Sequence, residues 1–135
     1  MSIIYPIFTL VMLTFVIMFA LGISRLISVR KRQVNPKLYK LMSGYEAPDY
    51  VQKLTRNLSN LLEMPILFYV LGVLLIALQI EDSTMVDLAW LFVGLRFVHT
   101  GIHITYNHTI HRFMVFVTSA LTLLAMWIKF IALMA

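Results

Sequence analysis

Four stretches of the chain are apolar for about the length of a bilayer, and polar, charged segments separate them. The first runs from Ile3 to Ser24 with Pro6 in its first turn, where a missing N–H costs nothing. It is too long for the core of a secretory signal, and no basic stretch precedes it. The spacing therefore predicts a first membrane helix over residues 3–28. A second over 50–79 begins polar and turns apolar near Leu61, with Pro65 expected to kink it. A third over 85–106 and a fourth over 110–134 complete the pattern, with Lys129 placed to snorkel near the chain end. Gly72 and Gly94 read as close-packing positions within helices. The expected fold class is an all-α integral membrane protein, one four-helix transmembrane bundle spanning residues 1–135.

Composition agrees: 61% of the 135 residues are hydrophobic and only 13% are charged, with a mean hydropathy of +0.88. No cysteine is present, so neither a disulfide nor a cysteine nucleophile features. The net charge of +5 is not spread as a nucleic-acid surface would be. Arg25, Arg30, Lys31, Arg32, Lys37, Lys40, Lys53 and Arg56 all fall within residues 25–56, from the end of the first helix to the start of the second, and Pro36, Ser43-Gly44 and Pro48 predict a loop between the two. Glu81, Asp82 and Asp87 mark the next turn. Positive charge on one side and acid on the other predict a cytoplasmic basic loop and both termini outside, with membrane lipids as neighbours.

Inside the apolar segments, polar residues recur at helical spacing. Arg56, Asn60 and Glu63 lie at i, i+4 and i+7 on the second helix; Arg96, His99 and His103 lie at i, i+3 and i+7 on the third. Glu63 falls at or below the membrane interface, where an ionised carboxylate costs several kcal/mol unless paired. One reading is an ion pair between Glu63 and Arg96 that sets helix register. The other joins these residues to Arg112, at the start of the fourth helix, in a pocket for an anionic ligand. His99, His103, His108 and His111 offer metal-ligand chemistry on paper, but HExxH is absent and acids are few, so no metal is expected.

At these residues the chain resembles the MAPEG superfamily, membrane-associated proteins in eicosanoid and glutathione metabolism, and it looks like one of the small bacterial members. The likeness covers the whole chain. Arg56-x3-Asn60-x2-Glu63-x-Pro65 resembles the family's second-helix signature, RFVHTGIH from Arg96 resembles its third-helix segment, and Ile27–Arg32 (ISVRKR) resembles the end of the first helix in leukotriene-forming members. The resemblance implies a homotrimer in the bacterial inner membrane with sites between subunits and glutathione as cosubstrate. It implies that Arg56, Asn60, Glu63, Arg96, His99 and His103 bind the tripeptide. Arg112, helped by Arg30 of a neighbour, would stabilise its thiolate. The function it implies is a glutathione transferase or peroxidase acting on lipophilic electrophiles or hydroperoxides. A non-catalytic protein binding glutathione, an anionic lipid or a protein partner is the alternative. Three positions depart from relatives: His103 and Phe116 stand where some carry tyrosine, and Phe113 follows Arg112 where some carry serine. They argue against prostaglandin isomerase chemistry.

Overall fold

The structure, a computed structural model, describes residues 2–42 and 44–135. Ser43, part of the expected Ser43-Gly44 break, lies outside the described residues. The elements in chain order are α1 (Ile4–Arg30), α2 (Lys37–Leu41), α3 (Asp49–Glu63), α4 (Pro65–Ala77), α5 (Ser83–Ile104) and α6 (Thr109–Met134). Four helical stretches are long and apolar enough to cross a membrane: Ile4–Arg30, Asp49–Ala77, Ser83–Ile104 and Thr109–Met134. Among the described residues no strand occurs.

The second of these spans contains both α3 and α4. Pro65 has no N–H to return to the Leu61 carbonyl, so the hydrogen-bond ladder skips there. Met64, between the two, keeps α-helical torsions of −66° and −42°, so the chain does not reverse. The basic connection is not all loop. α1 continues to Arg30, and Pro36, with φ at −54°, starts the five-residue α2.

Helix ends are closed by residues in the left-handed region. Arg32, Gln79 and Asn107 have φ near +50°. Each sits just past a helix whose carbonyl it or its neighbour caps: Gln33 N donates to Ser28 O, Ile80 N to Leu75 O, and Asn107 N to Ile102 O. At the start of α5, Asp82 accepts from Met85 N at 2.8 Å and pairs with Lys129 at 3.3 Å. The Met85 N–H, and secondarily Lys129, hold the Asp82 carboxyl below its ordinary range. Lys129, expected to snorkel freely, instead ties the end of α6 to the α4–α5 turn.

The core is a seam of Leu10, Leu13 and Ile17 from α1, Leu61, Phe68, Leu71 and Leu75 from α3 and α4, Phe92 and Val93 from α5, and Met126 and Phe130 from α6. Phe68 and Phe92 stack at 4.8 Å between ring centres. Gly72 is a close-approach point: a Cβ there would lie 2.3 Å from Ile7 Cδ1 of α1. Large apolar side chains also cover the outside, among them Phe8, Phe15, Phe19, Val73, Leu121 and Ile128. An apolar exterior over an apolar core is the pattern of a protein solvated by lipid. The buried polar groups are not scattered. Ser28, Asn57, Arg96, His99, Thr100, His103 and Ser119 all lie in the half of the bundle nearer the basic connection.

Candidate functional site

Along α3 a buried stripe, Asn57, Leu61 and (across the break) Phe68, faces the bundle. Arg56 and Glu63 lie well to one side of that stripe and are exposed, whereas Asn60 lies on its flank and is half buried. This rotation decides which polar residues meet. Arg96 of α5 is wholly buried, and it donates to Asn60 Oδ1 and approaches Met64 Sδ at 3.7 Å. It does not reach Glu63. Among the described residues the ion pairs are Lys53–Asp49 and Lys129–Asp82. The Glu63–Arg96 pairing entertained from the sequence is thus not formed within the chain, because Glu63 points outward and Asn60 takes the guanidinium.

Asn60, Arg56, His99, His103 and Arg112 line one cleft of about 250 Å³, closed on its other side by Thr109, Phe113 and Phe116. α3 contributes the first two, α5 the histidines, and the first turns of α6 the remainder. The Arg112 guanidinium is held by Asn107 Oδ1 at 2.7 Å. Asn107 can do this because its left-handed backbone turns the chain from α5 into α6. Lys53 fixes the same corner from α3, donating to Thr105 O at 3.2 Å. Behind the cleft, Thr100 donates to Asn57 Oδ1 at 3.3 Å, so α3 and α5 are joined by two polar contacts one turn apart.

The chemistry of the lining is one-sided. Arg56 and Arg112 bring cations and no acid lines the cleft. With its oxygen engaged by Arg96, Asn60 has only its amide N–H groups left to offer. His99 and His103 are 3% and 5% exposed, and the Nδ1 atom of each is buried without a partner among the described residues. Their rings stand 5.9 Å apart, with Phe116 6.1 Å from His99. Donors and positive charge converging beside two phenylalanines suit an anion with an apolar companion. A larger cavity, about 640 Å³, opens at the opposite end among Leu75, Gln79, Glu81 and Asp82. Among the described residues no arginine or lysine lines it, and Asp82 there is already engaged by Lys129.

Of the residues singled out from the sequence, five converge on the cleft. Arg96 lies behind it as a support for Asn60. Glu63 and Arg30 are exposed and stand outside it. His108, at the end of the α5–α6 turn, stacks on His111 of α6 at 4.2 Å, outside the cleft. The contributions of Asn107, Asn57 and Thr100 were not anticipated. Only the polar Asn57, spaced i, i+4 from Leu61 and so on the buried stripe, carried a readable signal.

The chain matches the MAPEG family over residues 3–132. It belongs to that family. No curated protein and no solved structure matches it. As a MAPEG protein it is an integral, multi-pass membrane protein of the broad class that serves glutathione and eicosanoid metabolism, and its four spans are those of the family bundle.

Proposed function

We propose that this MAPEG protein is a glutathione-dependent transferase or hydroperoxide reductase for lipophilic substrates. The observation that carries the reading is the cleft itself, with two arginines, an oriented asparagine amide, no acid among its lining residues and a phenylalanine wall. Glutathione offers two carboxylates and a thiol. Arg56 and the Asn60 amide take a carboxylate, and Arg112 stands by the sulfur, where a cation favours the thiolate. In the transferase reaction the sulfur attacks an electrophilic carbon, a C–S bond forms, and the leaving group departs with its electron pair. In the reductase reaction two thiols become a disulfide while a hydroperoxide becomes an alcohol and water. The electrophile approaches through the bilayer along Phe113 and Phe116.

Glu63 supports a homotrimer as the working unit. By helix rise it lies about 9 Å inside the hydrocarbon edge, exposed on its own chain, where an ionised carboxylate is costly. A neighbouring subunit would cover it and bring Arg30 towards the next cleft, and the ammonium end of glutathione is its natural counter-ion. The test is turnover of a chlorodinitrobenzene-type electrophile and of a lipid hydroperoxide in lipid nanodiscs, with Glu63→Gln alongside. We expect turnover well above the uncatalysed rate, and an affinity for glutathione reduced at least tenfold in the variant. Tight glutathione binding with no turnover of either substrate would instead establish the second reading, a binding protein. Phe116 favours that second reading, since it offers no hydroxyl to the sulfur.

The orientation we propose puts the basic connection in the cytoplasm and both termini outside, in a bacterial inner membrane. The absence of native cysteine makes this direct to measure. A Lys40→Cys protein should resist a membrane-impermeant thiol reagent in intact cells and a Ser2→Cys protein should react. The reverse labelling would refute the orientation.

A further inference from the structure

A second cationic feature lies at the same end of the bundle and is distinct from the cleft. A crevice of about 140 Å³ opens between α1, α2 and α3, walled by Leu38, Met42, Ala47 and Val51, with Arg25 and Arg56 among its lining residues. Arg25 lies over the ring of Tyr39 at 5.5 Å, and that tyrosine is fixed by its hydroxyl to Ser28 Oγ at 2.6 Å. The Arg25 Nε is buried and, among the described residues, has no hydrogen-bond partner. Among the described residues neither arginine is in an ion pair, since Asp49, an acid of the connection, pairs with Lys53. A guanidinium clamped on an aromatic face, with a buried donor left open, lacks an anion.

Depth says which anion. Arg25 is twenty-one residues from Ile4 along α1, and Arg56 is twenty-one from Ala77 along the second span, so each lies about 32 Å from the far end of its helix. Hydrocarbon is about 30 Å thick, so both guanidiniums reach the phosphate level of one leaflet. The apolar walls of the crevice face the start of the acyl region, and Arg30, Lys31, Arg32, Lys37 and Lys40 make the surroundings strongly positive.

We propose that this crevice holds the headgroup of one anionic phospholipid from the leaflet at the basic end. Its phosphate sits between Arg25 and Arg56, and its first methylenes lie on Leu38 and Val51. The phosphodiester accepts from Arg25 Nε, and the lipid bridges Arg25 of α1 and Arg56 of α3. The site does not depend on glutathione being the ligand of the cleft. Because Arg56 lines both features, the test is placed on Arg25.

The experiment is native mass spectrometry of the protein released from vesicles of phosphatidylcholine with and without phosphatidylglycerol. Wild type should retain one phosphatidylglycerol per chain and discriminate against phosphatidylcholine at least tenfold. Arg25→Gln should lose that discrimination, whereas Lys40→Gln, which removes a charge of the rim, should keep it. Ala47→Phe fills the crevice and leaves every charge in place; it too should expel the lipid, and it serves if Arg25→Gln does not fold. Equal losses in Arg25→Gln and Lys40→Gln would show attraction to the rim alone and overturn the site. Equal retention of the two lipids by wild type, or undiminished retention by Ala47→Phe, would overturn it as well.

Discussion

Arg112→Ala is expected to bind glutathione and to lose most of its rate at neutral pH, with the loss recovered as pH rises. A free thiol ionises near pH 8.5, so about 3% is thiolate at pH 7; lowering the pKa by about two units would raise that to about three quarters. Removing the cation responsible should therefore slow the reaction about twenty-five-fold at pH 7 and by little above pH 9. The sign follows from the charge: a cation stabilises the anionic form, so its loss moves the thiol pKa up. Thiolate absorbance of bound glutathione, titrated in both proteins, reads the shift without turnover. A pKa and rate unchanged in the variant would remove Arg112 from the chemistry and leave Arg30 of a neighbour as the next candidate.

The same prediction has a positional arm. Arg112 is aimed by Asn107, which needs its left-handed backbone and its side-chain oxygen. Asn107→Gly keeps the first and deletes the second. Its expected effect is intermediate, a smaller upward move of the thiol pKa with glutathione affinity little changed, because the guanidinium remains but is no longer held. Arg112 acting only as an anchor for α6 would leave the thiol pKa indifferent to either substitution.

The spans were legible because a bilayer imposes a length, and nothing but twenty or so apolar residues meets it. The helix faces were legible too, since Arg56, Asn60 and Glu63 sit where helical spacing puts them. What spacing could not supply was the rotation of α3 about its own axis. That rotation turns Asn60 to Arg96 and leaves Glu63 outside, although Glu63 and Arg96 lie at matching depth. The information was present in weaker form: Asn57, Leu61, Met64 and Phe68 make the inward stripe, and Asn60 borders it while Glu63 does not. Asn107 was unreadable for a different reason. A left-handed residue after a helix is usually glycine, and the function of this one depends on a side chain that only the folded turn aims at Arg112. The short α2 escaped because five residues are too few to show a period.

Arg96→Met is expected to leave the unliganded protein as stable as wild type or more so, while weakening anion binding in the cleft about thirty-fold. Arg96 is completely covered by its own chain, so no neighbouring subunit can bring it a counter-ion, and its partners Asn60 and Met64 are neutral. Burying an unpaired guanidinium costs several kcal/mol, against about 1.5–3 kcal/mol returned by one charge-assisted hydrogen bond. Methionine fills a similar volume without the charge. The Asn60 oxygen it abandons is only half buried, so water in the cleft can serve it. On those magnitudes the substitution is neutral to stabilising by about 1–4 kcal/mol, the range seen when buried ion pairs give way to well-packed apolar side chains. The cost to function comes through the field. A charge about 8 Å from an anion, at an effective dielectric of about 20, contributes about 2 kcal/mol, which is the thirty-fold. Thermal unfolding with and without glutathione measures both quantities at once: the baseline should hold or rise, and the glutathione-induced shift should shrink. Arg96→Lys separates field from geometry, since it keeps the charge but cannot reproduce the planar donor to Asn60. Near-wild-type affinity in Arg96→Lys would assign the effect to charge, and an equal loss in both variants would assign it to the orientation of Asn60. A strong drop in stability for Arg96→Met with glutathione affinity untouched would make Arg96 a packing residue and detach it from the cleft.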